Sequence, residues 1–240
     1  MALNAGKIKQ KSNFERPEPL EPGTYPVRVV QILSLGLQPQ RPYKGEEKDP
    51  KNELMVTYEC LDEFMKDKET GEDLLDKPRW LSETFTINSI DSDLAKSTKR
   101  YLALDPEMKY GGDWAQLGGT PAMMTVVNNQ GKGKHSDKVY ENITGLSAMR
   151  AKEASKAPEL KNPVKIFDID NPDMKVFGSL PEWIQTKMKD NLEFGGSPLE
   201  GALEAQPPQS GGEGTKEVKK DTQTPSQEVS DTEDDDNEDW

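Results

Sequence analysis

The chain of 240 residues contains few of the side chains that enzyme and metal sites use. It has one cysteine, Cys60, and one histidine, His135. A single cysteine excludes an intramolecular disulfide, and one residue of each type excludes the usual zinc sites built from four Cys and His ligands. No set of nucleophile, base and orienting group can be assembled around either residue. The sequence therefore predicts a protein that is not an enzyme and has no metal or cofactor.

Long apolar runs are also missing, and aromatic residues make up only 7% of the chain. The first nine residues lack the apolar segment of a signal peptide, and no stretch approaches the length of a membrane span. The hydrophobic fraction of 32% fits a small core with long polar segments. We therefore expect a cytoplasmic protein of a reducing compartment with no membrane contact.

Basic residues are outnumbered, and the net charge is −13. Eleven acidic residues and three lysines between Ala205 and Trp240 account for −8 of it, which leaves −5 for the other 204 residues. Such a segment buries too little apolar surface to offset the entropy of ordering it, so residues 205–240 are predicted to be a disordered acidic tail. It serves either solubility or interaction with partners, in the second case by mimicking nucleic-acid charge or docking into basic pockets.

Runs of β-branched and alternating apolar residues predict five strands, at about 25–35, 53–61, 80–87, 122–128 and 138–143. Alternation in the second strand indicates one buried and one exposed face. A helix capped by Asp91 or Ser92 and ending near Leu104 separates the third strand from the fourth. This order is that of an OB-fold, a small barrel whose face and loops bind oligonucleotides. The predicted fold is therefore mainly β with minor α, an OB-fold-like five-stranded barrel.

Composition divides the chain into four parts. Residues 1–18 are predicted to be a flexible basic arm, 19–148 the OB-fold-like domain, 149–204 a wrapping extension with short helices, and 205–240 the tail. In the extension, Pro181 can begin a helix on which Trp183, Ile184 and Met188 form one stripe. Core packing is the expected use of that stripe.

Basic and aromatic residues cluster on or beside the predicted strands. A groove for single-stranded nucleic acid needs cations for phosphates and flat rings for bases. The strongest cluster lies in the loop between the fourth and fifth strands, because that connection flanks the binding face of an OB-fold. Each of these residues also has a plainer use, since lysines are common on solvated helix faces and strand aromatics are usually core. The predicted DNA contacts are Arg28, Tyr58, Arg79, Trp80, Lys96, Lys99, Arg100, Lys132, Lys134, Lys138 and Tyr140.

The chain resembles bacteriophage single-stranded-DNA-binding proteins. Its ending, Asp-Asp-Asp-Asn-Glu-Asp-Trp at 234–240, is similar to the acidic tails closed by an aromatic residue in phage and bacterial single-strand binders. The segments Glu-Pro-Gly-Thr-Tyr-Pro-Val-Arg-Val-Val at 21–30, Trp-Ala-Gln-Leu-Gly-Gly-Thr-Pro at 114–121 and Gly-Ser-Leu-Pro-Glu-Trp-Ile at 178–184 resemble a tailed-phage family of that description. The body of this chain is more acidic than is usual for such binders.

This resemblance implies an OB-fold that binds single-stranded DNA without sequence preference in phage DNA replication or recombination. It also implies that the tail contacts a polymerase, a helicase or primase, or a recombinase. The tail residues assigned to partner binding are Asp234, Asp235, Asp236, Glu238, Asp239 and Trp240. The oligomeric state stays open, with a homodimer as one option.

A rival hypothesis from another class is an acidic adaptor or virion-associated structural protein that binds only protein. Dependence on salt separates the two, because contacts to phosphates release counterions and weaken steeply as salt rises.

Overall fold

The computed structural model describes residues 17–205, except for the side chain of Lys134. The predicted arm and tail therefore lie almost entirely outside the described residues. The described chain is mainly β, with six strands and five short helices. The elements in chain order are β1 Gly23–Gln38, β2 Lys51–Lys66, β3 Asp73–Thr86, α1 Lys96–Leu104, β4 Pro121–Gln130, β5 Val139–Ala148, α2 Ala151–Ala154, β6 Lys165–Phe167, α3 Met174–Gly178, α4 Glu182–Lys189 and α5 Pro198–Glu204.

The predicted order of three strands, a helix and two further strands is confirmed, but the strands are longer than predicted. The charged segment after residue 61 continues β2 and β3 as a two-stranded ribbon. The turn between the two strands is stabilised by Asp67, whose carboxylate accepts hydrogen bonds from the backbone N–H groups of Glu69 and Thr70. Gly71, with φ +72°, completes it. Charged side chains on this ribbon face solvent, which conceals its strand character in the sequence.

The strands follow one another in space as β3-β2-β1-β4-β5, and β6 pairs with β1. The pairs along this path are antiparallel, whereas β6 runs parallel to β1. β1 is long enough to serve both sides: its first half pairs with β4 from Gly23 to Arg28, and β2 pairs with it from Val27 onward. Within residues 17–205 no backbone ladder joins β3 to β5, so the sheet is not closed.

Two apolar clusters lie on opposite faces of this sheet. The first is enclosed by the five strands and α1, and it contains Val29, Val56, Tyr58 and Tyr101. The second packs Leu33, Leu35 and Met55 against α3, α4 and α5. Ile184 and Met188 of the predicted stripe are fully buried there, which confirms that the stripe is core. The extension therefore packs across the outer face of β1 and β2.

This second cluster overturns the prediction of an exposed face on β2. Met55, Thr57 and Glu59 are all buried, because the extension covers the face that alternation assigned to solvent. The predicted helix start was also wrong. α1 begins after Ala95, so neither Asp91 nor Ser92 occupies the N-cap position, and no side chain caps the helix. The residues before it are instead held in two turns by backbone hydrogen bonds from Ser92 to Ser89 and from Ala95 to Ser92.

Candidate nucleic-acid interface

The gap between β3 and β5 is bridged by side chains. Arg79 on β3 donates from Nη2 to Glu141 Oε1 on β5 at 2.8 Å, and both side chains are buried. Glu141 Oε1 also accepts from the Leu20 backbone N–H at 2.7 Å, and Arg79 Nη1 donates to the Glu18 carbonyl at 2.6 Å. The segment that leads into β1 is thereby fixed against both strands. We call this junction of β3 and β5 the seam.

A second bridge across the seam centres on Glu83 of β3. Its carboxylate accepts from Arg100 Nε at 2.8 Å and Arg100 Nη2 at 3.2 Å, with Lys96 Nζ 3.2 Å away. The Tyr58 hydroxyl donates to the same carboxylate at 2.9 Å. Arg100 Nη2 also donates to the carbonyl of Ile143 on β5. One guanidinium of α1 therefore joins the two strands that no ladder connects.

These bridges remove four residues from the predicted DNA contacts. Tyr58 is 0% exposed, so its ring cannot stack on a base in this structure, and burial beside Glu83 raises its pKa well above the ordinary value. Arg79 and Arg100 are buried with their donors used inside the protein, and Lys96 is paired with Glu83. The helical spacing of Lys96 and Arg100 places them on one face, but that face is turned toward the strands.

Arg28 also has a structural partner set. It donates to the carbonyls of Gly119 at 2.9 Å, Pro158 at 2.8 Å and Ala157 at 3.2 Å. The side chain therefore anchors the start of the extension to β1. An arginine that already donates to three carbonyls of the protein is not free for a phosphate, so the structure does not favour Arg28 as a DNA contact.

Trp80 is half-buried on β3 and its indole N–H donates to Glu59 Oε2 at 3.0 Å. Glu59 also accepts from the Lys161 backbone N–H and from Asn162 Nδ2, both at 2.7 Å. Its three donors come from β3 and from the extension. Glu59 thus clamps residues 161–162 beside Trp80 and fixes one edge of the ring, while part of the ring stays accessible.

The loop between β4 and β5, residues 131–138, contains a 3₁₀ turn and carries several basic side chains. Lys132 and Lys138 are exposed, and the Gly131 N–H donates to the Lys138 carbonyl at 2.8 Å. A Cβ on Gly131 would lie 2.0 Å from the carbonyl oxygen of His135, so only glycine fits this close approach. The predicted contact Lys134 lies in the same turn, but its side chain is outside the described residues. The backbone of this loop is therefore ordered and holds Lys132 and Lys138 on the surface.

Tyr140 follows this loop on β5 and is half-buried. Because successive side chains on a strand point to opposite faces, the buried Arg79 and Glu141 place Trp80 and Tyr140 on the outside. Each of them adjoins, in sequence, one partner of the 2.8 Å ion pair that bridges the seam. We call Trp80, Tyr140, Lys132 and Lys138 the seam surface. Lys99 is exposed on α1, the helix that bridges the same seam.

The acids that organise this region escaped the sequence analysis. Glu59, Glu83 and Glu141 are buried, and each gathers donors from other elements. One signal was available: Glu83 interrupts the apolar face of its strand, and a buried carboxylate requires partners. The spacing of Arg79 or Arg100 does not reveal which carboxylate each one meets, because the partners are 62 and 17 residues away in the chain.

A polar groove of about 580 Å³ lies at the opposite end of β1, between the ends of β1 and β3 and the extension. Gly36, Asn52, Asn88 and Asn191 are among the residues that line it. The carboxylates of Asp170 and Glu193 also face it, against one ammonium from Lys51. This balance of charge disfavours a phosphate, so the groove is not part of the candidate interface.

Residues 17–205 contain no group of three or more His, Cys, Asp or Glu side chains placed to hold a metal ion. The same residues form no helix with the length and apolar character needed to cross a membrane. Comparison with protein families, with curated proteins and with solved structures finds no match to this chain. Its function is therefore argued from its own residues.

Proposed function

We propose that this protein binds single-stranded DNA without sequence preference, on a five-stranded barrel of OB-fold type. The support for the barrel is its connectivity. The spatial order β3-β2-β1-β4-β5, with α1 between β3 and β4, is that of a partly open OB barrel, in which β3 and β5 approach each other. Here the two buried bridges hold β3 and β5 together in place of a ladder.

The observation that carries the proposal is the seam surface. It combines two half-buried aromatic residues, Trp80 and Tyr140, with the exposed lysines Lys132 and Lys138. Stacking on an aromatic ring contributes about 1–3 kcal/mol per base and tolerates every base, because each base has a π-face. Lysines contact phosphates without reading sequence. Such a surface selects unpaired strands, whose bases are accessible, over duplex.

The charge of the protein sets the character of this binding. With −13 overall, the protein offers only a local cationic patch, so attraction over long distances is weak. We expect an affinity that depends on a few close contacts and falls steeply with salt.

The tail supplies the second half of the proposal. Residues 230–240, which lie outside the described residues, contain seven acids and Trp240. This polyanion competes with DNA for the seam surface and recruits a polymerase, a helicase or primase, or a recombinase. The protein then serves DNA replication or recombination in the host cytoplasm of a phage.

The test is a fluorescence-anisotropy titration with labelled oligo-dT and with duplex of the same length. The proposal predicts saturable binding of the single strand at micromolar protein and low salt, with clearly weaker binding of duplex. No change in anisotropy with either probe at low salt overturns the proposal and leaves the protein-binding adaptor as the better account.

A further inference from the structure

A second aromatic and cationic feature lies in the connection between β1 and β2. Tyr43 and Glu46 exchange backbone hydrogen bonds of 2.9 and 3.0 Å, and between them Lys44 and Gly45 have φ values of 51° and 87°. Two successive residues with positive φ define a type I′ turn, which joins strands tightly. Residues 43–46, here called the Tyr43 hairpin, therefore form an ordered tip.

Tyr43 is unusually accessible for a large ring. It is 49% exposed, and the ammonium groups of Lys44 and Lys48 lie 5.1 and 4.9 Å from the ring centroid. The buried aromatic clusters contain Phe85, Trp114 and Tyr101, and Tyr43 is absent from both described clusters. The ring therefore adds nothing to either core.

Magnitudes indicate what this ring can bind. A base stacked on an aromatic ring stabilises binding more than a cation–π contact at an exposed site does. A base can therefore displace one lysine from the ring face. The displaced ammonium remains close to the stacked base and can contact the phosphate next to it. Residues 41–49 contain three basic and three acidic side chains and have no net charge, so stacking and not net charge must supply the preference.

We propose that the Tyr43 hairpin is a second contact for single-stranded DNA, with one base on Tyr43 and adjoining phosphates on Lys44 and Lys48. This inference rests on the proposed function, because it extends the same bound strand. The two contacts are separated along β1. Its first half pairs with β4, which ends at the loop of the seam surface, and its last residue leads to the Tyr43 hairpin. At about 3.3 Å per residue, 16 residues span at most about 50 Å, and two register irregularities bend the strand.

The separation gives a length-dependent test. Affinities are measured for oligo-dT of increasing length, across the range of about 4–16 nucleotides that one OB fold covers. The variants are Tyr43→Ala, Tyr43→Phe, the double variant Lys44→Ala with Lys48→Ala, and Tyr110→Ala. Tyr110 is a matched control, since it is 37% exposed and has Lys109 5.1 Å from its ring centroid, in a different turn. Thermal melting of each variant checks that the fold is intact.

Tyr43→Ala is expected to weaken binding of the longest oligonucleotide by about 5- to 150-fold, the range that corresponds to one stacked base. Tyr43→Phe keeps the ring and is expected to bind within about twofold of the unaltered protein. Tyr110→Ala leaves every affinity unchanged, and oligonucleotides too short to reach both contacts do not distinguish Tyr43→Ala from the unaltered protein. The lysine double variant weakens binding of the long probe and lowers its salt dependence.

The inference is overturned if Tyr43→Ala and Tyr110→Ala bind the long oligonucleotide equally well. It is also overturned if Tyr43→Ala weakens binding of oligonucleotides of every length by the same factor. Failure of the proposed function looks different, because the unaltered protein then binds no oligonucleotide of any length.

Discussion

At the scale of single residues, the stability of the sheet depends on buried carboxylates that neutralise buried cations. Glu83 has four hydrogen-bonding or ionic contacts with three residues, Tyr58, Lys96 and Arg100. Arg100 is the only one of these that also reaches β5, through the Ile143 carbonyl. Loss of the Glu83 charge would leave the guanidinium buried without its counter-ion.

We predict that Glu83→Gln lowers the free energy of unfolding by about 3–5 kcal/mol, the cost typical of breaking one partner of a buried ion pair. Urea denaturation of the variant measures the loss. The control is Glu69→Gln in the exposed turn after β2, where surface substitutions usually change stability by less than about 0.5 kcal/mol. Equal midpoints for the two variants would show that the Glu83 bridge adds nothing.

Cys60 offers a test of burial that depends on pH. Burial raises the pKa of its thiol to about 12, from an ordinary value near 9. The thiolate is therefore disfavoured in the folded protein, which keeps its proton up to a higher pH than the unfolded chain does. Stability from this group is complete below about pH 9 and is lost as the pH rises from about 9 to 12. Tyr58 shifts in the same direction.

We therefore expect a thiol reagent to label Cys60 very slowly near pH 8 unless denaturant is added, and we expect stability to fall between about pH 9 and 11. Cys60→Ala should lose less stability over that interval than the unaltered protein, while the contribution of Tyr58 persists. Rapid stoichiometric labelling of the native protein near pH 8 would contradict the described burial of Cys60.

At the scale of elements, the extension is attached by two different kinds of contact. Apolar residues of α3, α4 and α5 pack on β1 and β2, whereas residues 157–162 are held by polar contacts to Arg28 and Glu59. β1 accommodates the apolar part through Gly36, whose φ is +76° and whose added Cβ would lie 2.8 Å from Asn191 Cγ. The extension is therefore held against the sheet by the residues that precede β6 and by the helices that follow it.

We predict that Glu59→Gln loosens residues 157–167 without unfolding the five-stranded sheet. A glutamine side chain has one acceptor oxygen for three donors, so at least one partly buried donor loses its partner at a cost of up to about 1–3 kcal/mol. Hydrogen exchange measured by mass spectrometry should rise in this segment and stay constant in β4 and β5. Glu159→Gln, whose side chain is 91% exposed, is the control. A uniform rise across the chain would contradict a local clamp.

The elements also show what the sequence could predict. The order of the five main strands and α1 follows from β-branched runs and was correctly predicted, as was the buried stripe of α4. The three residues of β6 form a strand only because β1 lies beside them, so local pattern does not reveal it. The buried outer face of β2 was missed for the same reason, since its cover comes from more than 100 residues further along the chain.

At the site, the sequence identified the loop lysines and the two rings but could not separate them from the bridging cations. Lys132 and Arg79 are both basic residues near strands, and only the position of Glu141 shows that one is exposed and the other paired. The sequence does not reveal the Tyr43 hairpin, because the pairing of residues 43 and 46 is a property of backbone geometry.

At the scale of the whole molecule, most of the net negative charge lies in residues 205–240, which carry −8 of the total of −13. A polyanion attached to the protein has an effective concentration on the order of millimolar near the sheet, so even weak contact with the seam surface is populated. Salt weakens such contacts. We predict that deletion of residues 230–240 tightens oligo-dT binding at low salt and has a smaller effect at high salt.

Trp240→Ala is the matched variant, because it removes the aromatic ring and no charge. It should leave DNA affinity nearly unchanged while weakening capture of a replication or recombination protein in a pull-down from infected cells. If the truncated protein has unchanged DNA affinity at every salt concentration and captures the same proteins in the pull-down, the tail serves solubility only.

The central claim is that single-stranded DNA binds at the seam surface, and the salt dependence of its affinity tests this most directly. Oligo-dT affinity is measured over a series of salt concentrations for the unaltered protein and for a triple variant with Lys132, Lys134 and Lys138 changed to Ala. We predict weaker binding and a log–log slope shallower by about two to three units, since each phosphate contact on a single strand contributes about 0.7–0.9. Identical slopes for the two proteins at equal thermal stability would contradict the claim.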